Sequence, residues 1–117
     1  MPDDMKSARP LKPNHHLILL LLAEEPTYGV ALMQRIEERS EGGVRLNAGS
    51  LYRTIGNLVD RGLVEPLDEG SGPEGVGAPR KIYGVTKRGL SALRAEAKRQ
   101  AGLLEAARAL DLLGERG

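Results

Sequence analysis

Residues 47–65, NAGSLYRTIGNLVDRGLVE, decide how the rest of the chain is read. As a helix over 48–61, this stretch places Leu51, Ile55, Leu58 and Val59 at i, i+4, i+7 and i+8, the spacing of one buried stripe. Ser50, Arg53, Thr54, Asn57 and Arg61 then share the opposite face. These side-chain types bond base edges and phosphate oxygens. Asn47 is placed to cap the helix start, Gly62 to end it, and Leu63-Val64 to lead into a strand. A polar stripe alone is equally the mark of a solvated face, so the flanking sequence has to decide.

Upstream, residues 15–25 form a short, almost uniformly apolar helix that must be buried on most sides. Part of 17–22 belongs to the domain's own core, and the remainder suits a partner chain. His15 and His16 point about 100° apart on a helix and cannot ligate one metal from one face, so both read as helix-start surface histidines. Pro26 stops this helix, and Thr27 is placed to cap a second over 28–40. Its buried stripe is Tyr28, Leu32 and Ile36, with Arg35, Glu37, Glu38 and Arg39 on the wet side. Glu41-Gly42-Gly43 closes it, and 44–46 suits a single β-bridge. Helix, connection and sided helix make the skeleton of a helix-turn-helix, whose second helix enters the major groove.

Downstream, 63–67 and 80–86 read as strands, with Pro66 suiting an edge, around a glycine- and proline-rich tip, DEGSGPEGVGAP at 68–79. Two strands with a long tip after a recognition helix make a winged helix-turn-helix. Arg80, Lys81, Lys87 and Arg88 stand where the wing returns and suit backbone phosphates. Asp68, Glu69 and Glu74 would be repelled by phosphate, so the strand base rather than the tip is expected to touch DNA. The Gly-x-x-x-x-Gly-Lys-Ser/Thr pattern of a phosphate-cradling loop is absent. Thr86 caps a last helix running to about 113, interrupted only by Gly102. Its apolar surface, Leu90, Leu93, Ala97, Leu104 and Ala107 with Leu103, Leu110 and Leu113, suits a second subunit. The competing arrangement folds this helix back on its own domain.

Composition agrees with this reading. The chain has 117 residues, no Cys, Phe or Trp, three Tyr and a net charge of +1. A core of Leu, Ile, Val and Ala is thin for a lone monomer, and apolar area shared with a second copy would help. Without cysteine there are no disulfides or thiolate metal sites, which fits a reducing compartment. Residues 1–13, MPDDMKSARPLKP, read as a disordered arm. The arm and the following LILLLLA do not make a signal peptide, because Asp3-Asp4 come early and no Ala-x-Ala site follows. The apolar run is also far short of the roughly 20 residues a bilayer span needs.

Together, the segments HHLILLLLAEEPTYGVALMQRIEE at 15–38, NAGSLYRTIGNLVDRGLVE at 47–65 and APRKIYGVTKRGLSAL at 78–93 resemble the PadR-like transcriptional regulators. The combination Tyr28-Gly29, Gly49-Ser50-Leu51-Tyr52-Arg53, Arg61-Gly62-Leu63 and Arg80-Lys81-Ile82-Tyr83, then Thr86 and Gly89, carries the likeness across residues 15–93. The resemblance implies a cytoplasmic, homodimeric protein that binds double-stranded operator DNA as a repressor and is often released by a phenolic or other small apolar effector. It also implies the compact subgroup, in which one C-terminal helix crosses to the partner subunit. By motif position, Ser50, Tyr52 and Arg53 are carried over as DNA contacts and Arg80-Lys81 as the wing, while Tyr28 and Tyr83 pack or orient it. Three features depart from that pattern: Gly56 within the recognition helix, which costs roughly 1 kcal/mol of propensity relative to Ala, the weakly basic groove face at Asn57 and Asp60, and the acidic wing tip. An aromatic effector sandwich between subunits cannot be built without Trp or Phe. A cavity lined by 17–22 and 93–104 is the remaining route.

The expected fold is mainly α with a small β-wing: a winged helix-turn-helix DNA-binding domain over 14–86, preceded by the arm at 1–13 and followed by a dimerisation helix at 87–117. Asn47, Ser50, Tyr52, Arg53, Asn57, Arg61, Arg80 and Lys81 are the DNA-contact candidates. Leu17, Leu20, Leu21, Leu90, Leu93, Ala97, Leu104 and Ala107 are the dimerisation candidates. No cofactor, metal or membrane partner is expected, and no nucleophile–base pattern suggests an enzyme. The alternative is a winged-helix protein–protein module without DNA binding, for which the acidic tip and near-neutral charge speak.

Overall fold

The computed structural model describes residues 10–67 and 81–114. Four helices and a small sheet follow one another: α1 (Pro13–Glu24), α2 (Gly29–Arg39), α3 (Ala48–Asp60), β1 (Val64–Pro66), β2 (Tyr83–Val85) and α4 (Lys87–Ala109). This is the mainly α, winged architecture that the sequence predicts.

Helix α1 is central because it is apolar on nearly every side. Ile18, Leu19, Leu21 and Leu22 are fully buried, and α2, α3, α4 and β2 all pack against it. Leu32 and Ile36 of α2 and Leu51, Ile55 and Leu58 of α3 complete the core. Fully burying each such side chain contributes about 1.5–3 kcal/mol. Leu21 is therefore a core residue of this chain, which corrects its assignment to a dimer surface. Leu20, 37% exposed, is the residue of this run that faces outward.

Thr27, expected to cap α2, instead forms an isolated antiparallel bridge with Tyr83. Its amide donates to the Tyr83 carbonyl and its carbonyl accepts the Tyr83 amide at 2.9 Å. Tyr28 takes the N-cap position with no side-chain cap. The bridge expected at 44–46 does not form, because the Val44 amide already donates to the Ser40 hydroxyl at 2.9 Å. Arg35, read as wet, reaches back to the end of α1. Its guanidinium donates to the carbonyls of Leu21 at 2.8 Å and Glu25 at 3.1 Å, satisfying acceptors that a helix end leaves open.

In the wing, Val64 pairs with Val85, Glu65 with Gly84 and Pro66 with Tyr83. β2 lies between β1 and Thr27, so Pro66 occupies the outer strand, where a missing amide costs least. The expected wing tip at 68–79, with Asp68, Glu69 and Glu74, lies outside the described residues, as does Arg80.

Helix α4 begins where expected, with the Thr86 hydroxyl accepting the Gly89 amide at 3.0 Å. It passes through Gly102 without interruption and ends at Ala109 rather than near 113. There Asp111 adopts φ 58, and the amides of Asp111 and Leu112 turn back to Arg108 and Ala107, the left-handed stop that ends many helices. The first part of α4 joins the core through Gly89, Ala92, Leu93 and Glu96. Leu93, only 9% exposed, is thus also corrected from dimer surface to core.

The N-terminal arm requires a further correction over its last residues. Leu11 is buried in the core, and its amide donates to Glu96 Oε1 at 3.0 Å. An isolated leucine among prolines carries no periodic signal, so only the packing reveals its role. Residues 1–9 of the expected arm lie outside the described residues. Among the described residues no helix is long and apolar enough to cross a membrane.

Candidate nucleic-acid interface

Helix α3 is held at both ends. Asn47 Oδ1 accepts the Ser50 amide at 2.7 Å, a cap worth about 1 kcal/mol. Gly62 adopts φ +77 just beyond Arg61, and the Arg88 side chain lies over it. With Leu51, Ile55 and Leu58 turned into the core, Arg53, Asn57 and Asp60 are left exposed on the outward side.

The expected contact residues do not all stand together. Asn47, Ser50, Arg53 and Asn57 share the exposed side and flank of α3, although the Asn47 side chain and the Ser50 amide are already engaged in the cap. Thr54 leaves that group: half-buried, it donates its hydroxyl to the Ser50 carbonyl at 3.0 Å. Lys81 is exposed beside β2. Arg61, half-buried, turns to the flank of α3.

Tyr52 is 47% exposed, but its ring also rests against the backbone of Gly29 at the start of α2. A Cβ at Gly29 would lie 2.6 Å from Tyr52 Cζ and closer still to the phenolic oxygen, so no other residue fits there without moving the ring. The pair Tyr28-Gly29 and the residue Tyr52, legible separately as motifs, are one contact between the two helices of the helix-turn-helix.

The sequence reading missed a cleft of about 380 Å³ between the arm and the end of α3, lined by Pro10, Lys12, His15, Asn57, Asp60 and Arg61. Burial holds the His15 imidazole below its ordinary pKa, and the charges of Lys12 and Arg61 lower it further. Its Nδ1 is buried without a hydrogen-bond partner. No spacing rule connects Lys12 to Arg61, and only their shared environment betrays the cluster. Among the described residues no group of His, Cys, Asp and Glu could hold a metal ion.

Leu20, Leu90 and Leu104 are 37%, 39% and 40% exposed. Ala97 is exposed, while Leu17 and Ala107 are half-buried. Leu103, Leu110 and Leu112, each more than 60% exposed, and Leu113 extend the apolar surface along and past the end of α4. Because most of 17–22 is core, only Leu17 and Leu20 of that run are not fully buried.

A model of the transcriptional regulator PadR-like family matches residues 18–95. The chain is similar to a solved PadR-like transcription factor of Bacteroides fragilis, at 26% identity over 83% of this chain and 88% of that one, with a TM-score of 0.67. A PadR family transcription regulator of Clostridium difficile R20291 shares the fold at a TM-score of 0.69, with 21% identity over 82% of this chain and 95% of that one. An uncharacterized 37.1 kDa protein in transposon TN4556 of Streptomyces fradiae is 43% identical over 53 residues, 45% of this chain. The match spans 15% of that protein's length.

Proposed function

The chain belongs to the PadR-like family of transcriptional regulators, and from that premise we propose that it is a homodimeric, sequence-specific DNA-binding repressor. Residues 14–86 form the DNA-binding unit and 87–117 the dimerisation element. The observation that carries this reading is the outward side of α3, where Arg53 and Asn57 stand exposed on a helix whose other side is locked into the core. Arg53 and Asn57, with Ser50, read base edges in the major groove. Arg61, Lys81 and Arg80 hold backbone phosphates and set position, and Tyr52 adds a contact at the α2–α3 junction.

The exposed leucines of α4 support dimerisation, since a monomer would leave Leu103, Leu104 and Leu110 to water. A two-fold dimer presents two α3 helices to half-sites about one helical turn apart, or a multiple of it. A small apolar or phenolic effector entering between the subunits, bounded by Leu17, Leu20 and the exposed side of α4, would alter their spacing and release the DNA. The protein acts in the cytoplasm, where its operator lies.

Fluorescence anisotropy with DNA from upstream of its own gene and with a scrambled duplex, each at two salt concentrations, tests the proposal. Tight, salt-sensitive binding that prefers the upstream duplex is expected. Equal binding to both duplexes would place the operator elsewhere. No binding to either at low salt would overturn the DNA reading and favour a winged-helix protein–protein module.

A further inference from the structure

The cleft beside α3 has the chemistry of an anion site. Lys12 and Arg61 bring two positive charges to walls that carry one negative charge, that of Asp60. His15 is neutral by preference, because burial and the same two cations oppose its protonation. A buried nitrogen without a partner, such as His15 Nδ1, is uncommon in folded proteins and calls for an explanation. An anion in the cleft would pair with Lys12 and Arg61, offset the repulsion they exert on His15 and favour imidazolium against the burial that chiefly opposes it. Neither Lys12 nor Arg61 forms an ion pair within the protein among the described residues.

Position says which anion. Asn57 belongs both to the cleft wall and to the exposed side of α3, so the cleft opens on the flank of the helix that would lie in the groove. A helix seated in a major groove has a phosphate strand on each flank. Tyr52 and Gly29 occupy one flank at the start of α2, and the cleft lies by the end of α3. We propose that the cleft formed by Lys12, His15 and Arg61 seats a phosphate of the bound DNA backbone, and that His15 takes up a proton as the phosphate enters. The inference rests on the DNA-binding reading above. Among the described residues, the charged and titratable groups facing His15 are Lys12 from the segment before α1, Asp60 from the last turn of α3 and Arg61 just beyond it. No other described element contributes one to the cleft.

The consequence is an affinity that depends on pH through one side chain. Anisotropy titrations of the full chain should show DNA binding tightening by about three- to tenfold from about pH 7.5 to about pH 6, across the range in which histidine titrates. His15→Gln, which keeps a neutral polar side chain, should abolish most of that gain. Lys12→Ala should weaken binding to all duplexes alike and lower the slope of log affinity against log salt by about one. Retention of the full pH response in His15→Gln, or an unchanged salt slope in Lys12→Ala, would overturn the proposal. Thermal melts of both variants separate these effects from loss of fold.

Arg53→Ala distinguishes the two levels of inference. If it removes operator preference while the cleft variants are silent, the DNA reading stands and the phosphate seat fails. If wild type shows no salt-dependent affinity for any duplex, both fail. If inorganic phosphate shifts the His15 imidazole resonances but DNA leaves them unchanged, the cleft is a small-anion site and the backbone contact is overturned.

Discussion

The Thr86 hydroxyl donates to the Gly62 carbonyl at 2.6 Å, joining the residue just past the end of α3 to the residue that caps α4. The same oxygen accepts the Gly89 amide, and the Thr86 amide donates to the Leu63 carbonyl at 3.0 Å. One residue thus ties the end of α3, proposed to read DNA, to the start of α4, proposed to fix the distance between two readers. Thr86→Val keeps the shape and removes the hydroxyl. It should lower stability by about 1–2 kcal/mol in urea unfolding, through loss of the cap and of the Gly62 bond. An unchanged denaturation midpoint would show that water replaces both bonds at no cost.

Gly29 and Tyr52 should behave as a pair. Gly29→Ala drives a methyl group into the Tyr52 ring, so it should destabilise the wild type by roughly 1–3 kcal/mol. Much less loss is expected in a Tyr52→Ala background, where the ring is gone. A double-mutant cycle by thermal or urea unfolding measures the coupling. Additive losses would mean the ring swings away freely.

Arg53 stands exposed on α3 with its backbone fixed by helix packing. Arg53→Ala should cost about 1–3 kcal/mol of preference for the operator over random DNA if it pairs with a guanine. Competition anisotropy separates this from an equal loss on both duplexes, which would reduce Arg53 to a phosphate contact.

Leu104 is 40% exposed on the free side of α4 and lies away from the domain core. Leu104→Glu should convert the proposed dimer to monomer in light scattering after size exclusion while leaving the monomer folded. Operator affinity should fall roughly tenfold or more, because two linked half-sites become independent. A dimer that survives the substitution would place the interface elsewhere.

Glu96 accepts bonds from the Leu11 amide, the Arg99 guanidinium and the Gln100 side chain, and the first two chiefly push its carboxyl down to about 2. A depressed folded-state pKa contributes stability that is complete above the unfolded value of 4.5 and is lost as pH falls toward 2. Acidification through that window should destabilise the wild type more than Glu96→Gln, which cannot titrate. His15 acts earlier, since its lowered pKa makes the unfolded chain the better proton acceptor as pH falls below about 6.5. Urea midpoints at stepped pH for wild type, Glu96→Gln and His15→Gln resolve the two.

Much of the fold is legible in local sequence because its signals are local. The Leu51–Ile55–Leu58 spacing announces a sided helix, Asn47 and Thr86 announce helix starts, and Pro66 announces an outer strand. Each of these acts over a few residues, so a linear reading captures it. Where two local readings compete, the linear reading chooses badly. Thr27 looks like a cap but is claimed by Tyr83, far along the chain. The site was legible in outline and not in detail. Arg53 and Asn57 emerge on the exposed side as expected, whereas Thr54, one position from Arg53, turns to its own backbone.

By itself, the sequence determined the order of helices, the sidedness of α3, the wing and the family, since period, caps and motif spacing need no distant partner. Tertiary structure decided which of several equivalent apolar residues are core. Leu21 and Leu93 are taken into the core, while their neighbours Leu20 and Leu90 are left exposed. Only the fold brings Leu11 to Glu96 and gathers Lys12, His15 and Arg61 around one cleft. The physical reason is that periodicity specifies which face of a helix is apolar or charged, whereas what lies against that face depends on contacts between residues far apart in the chain.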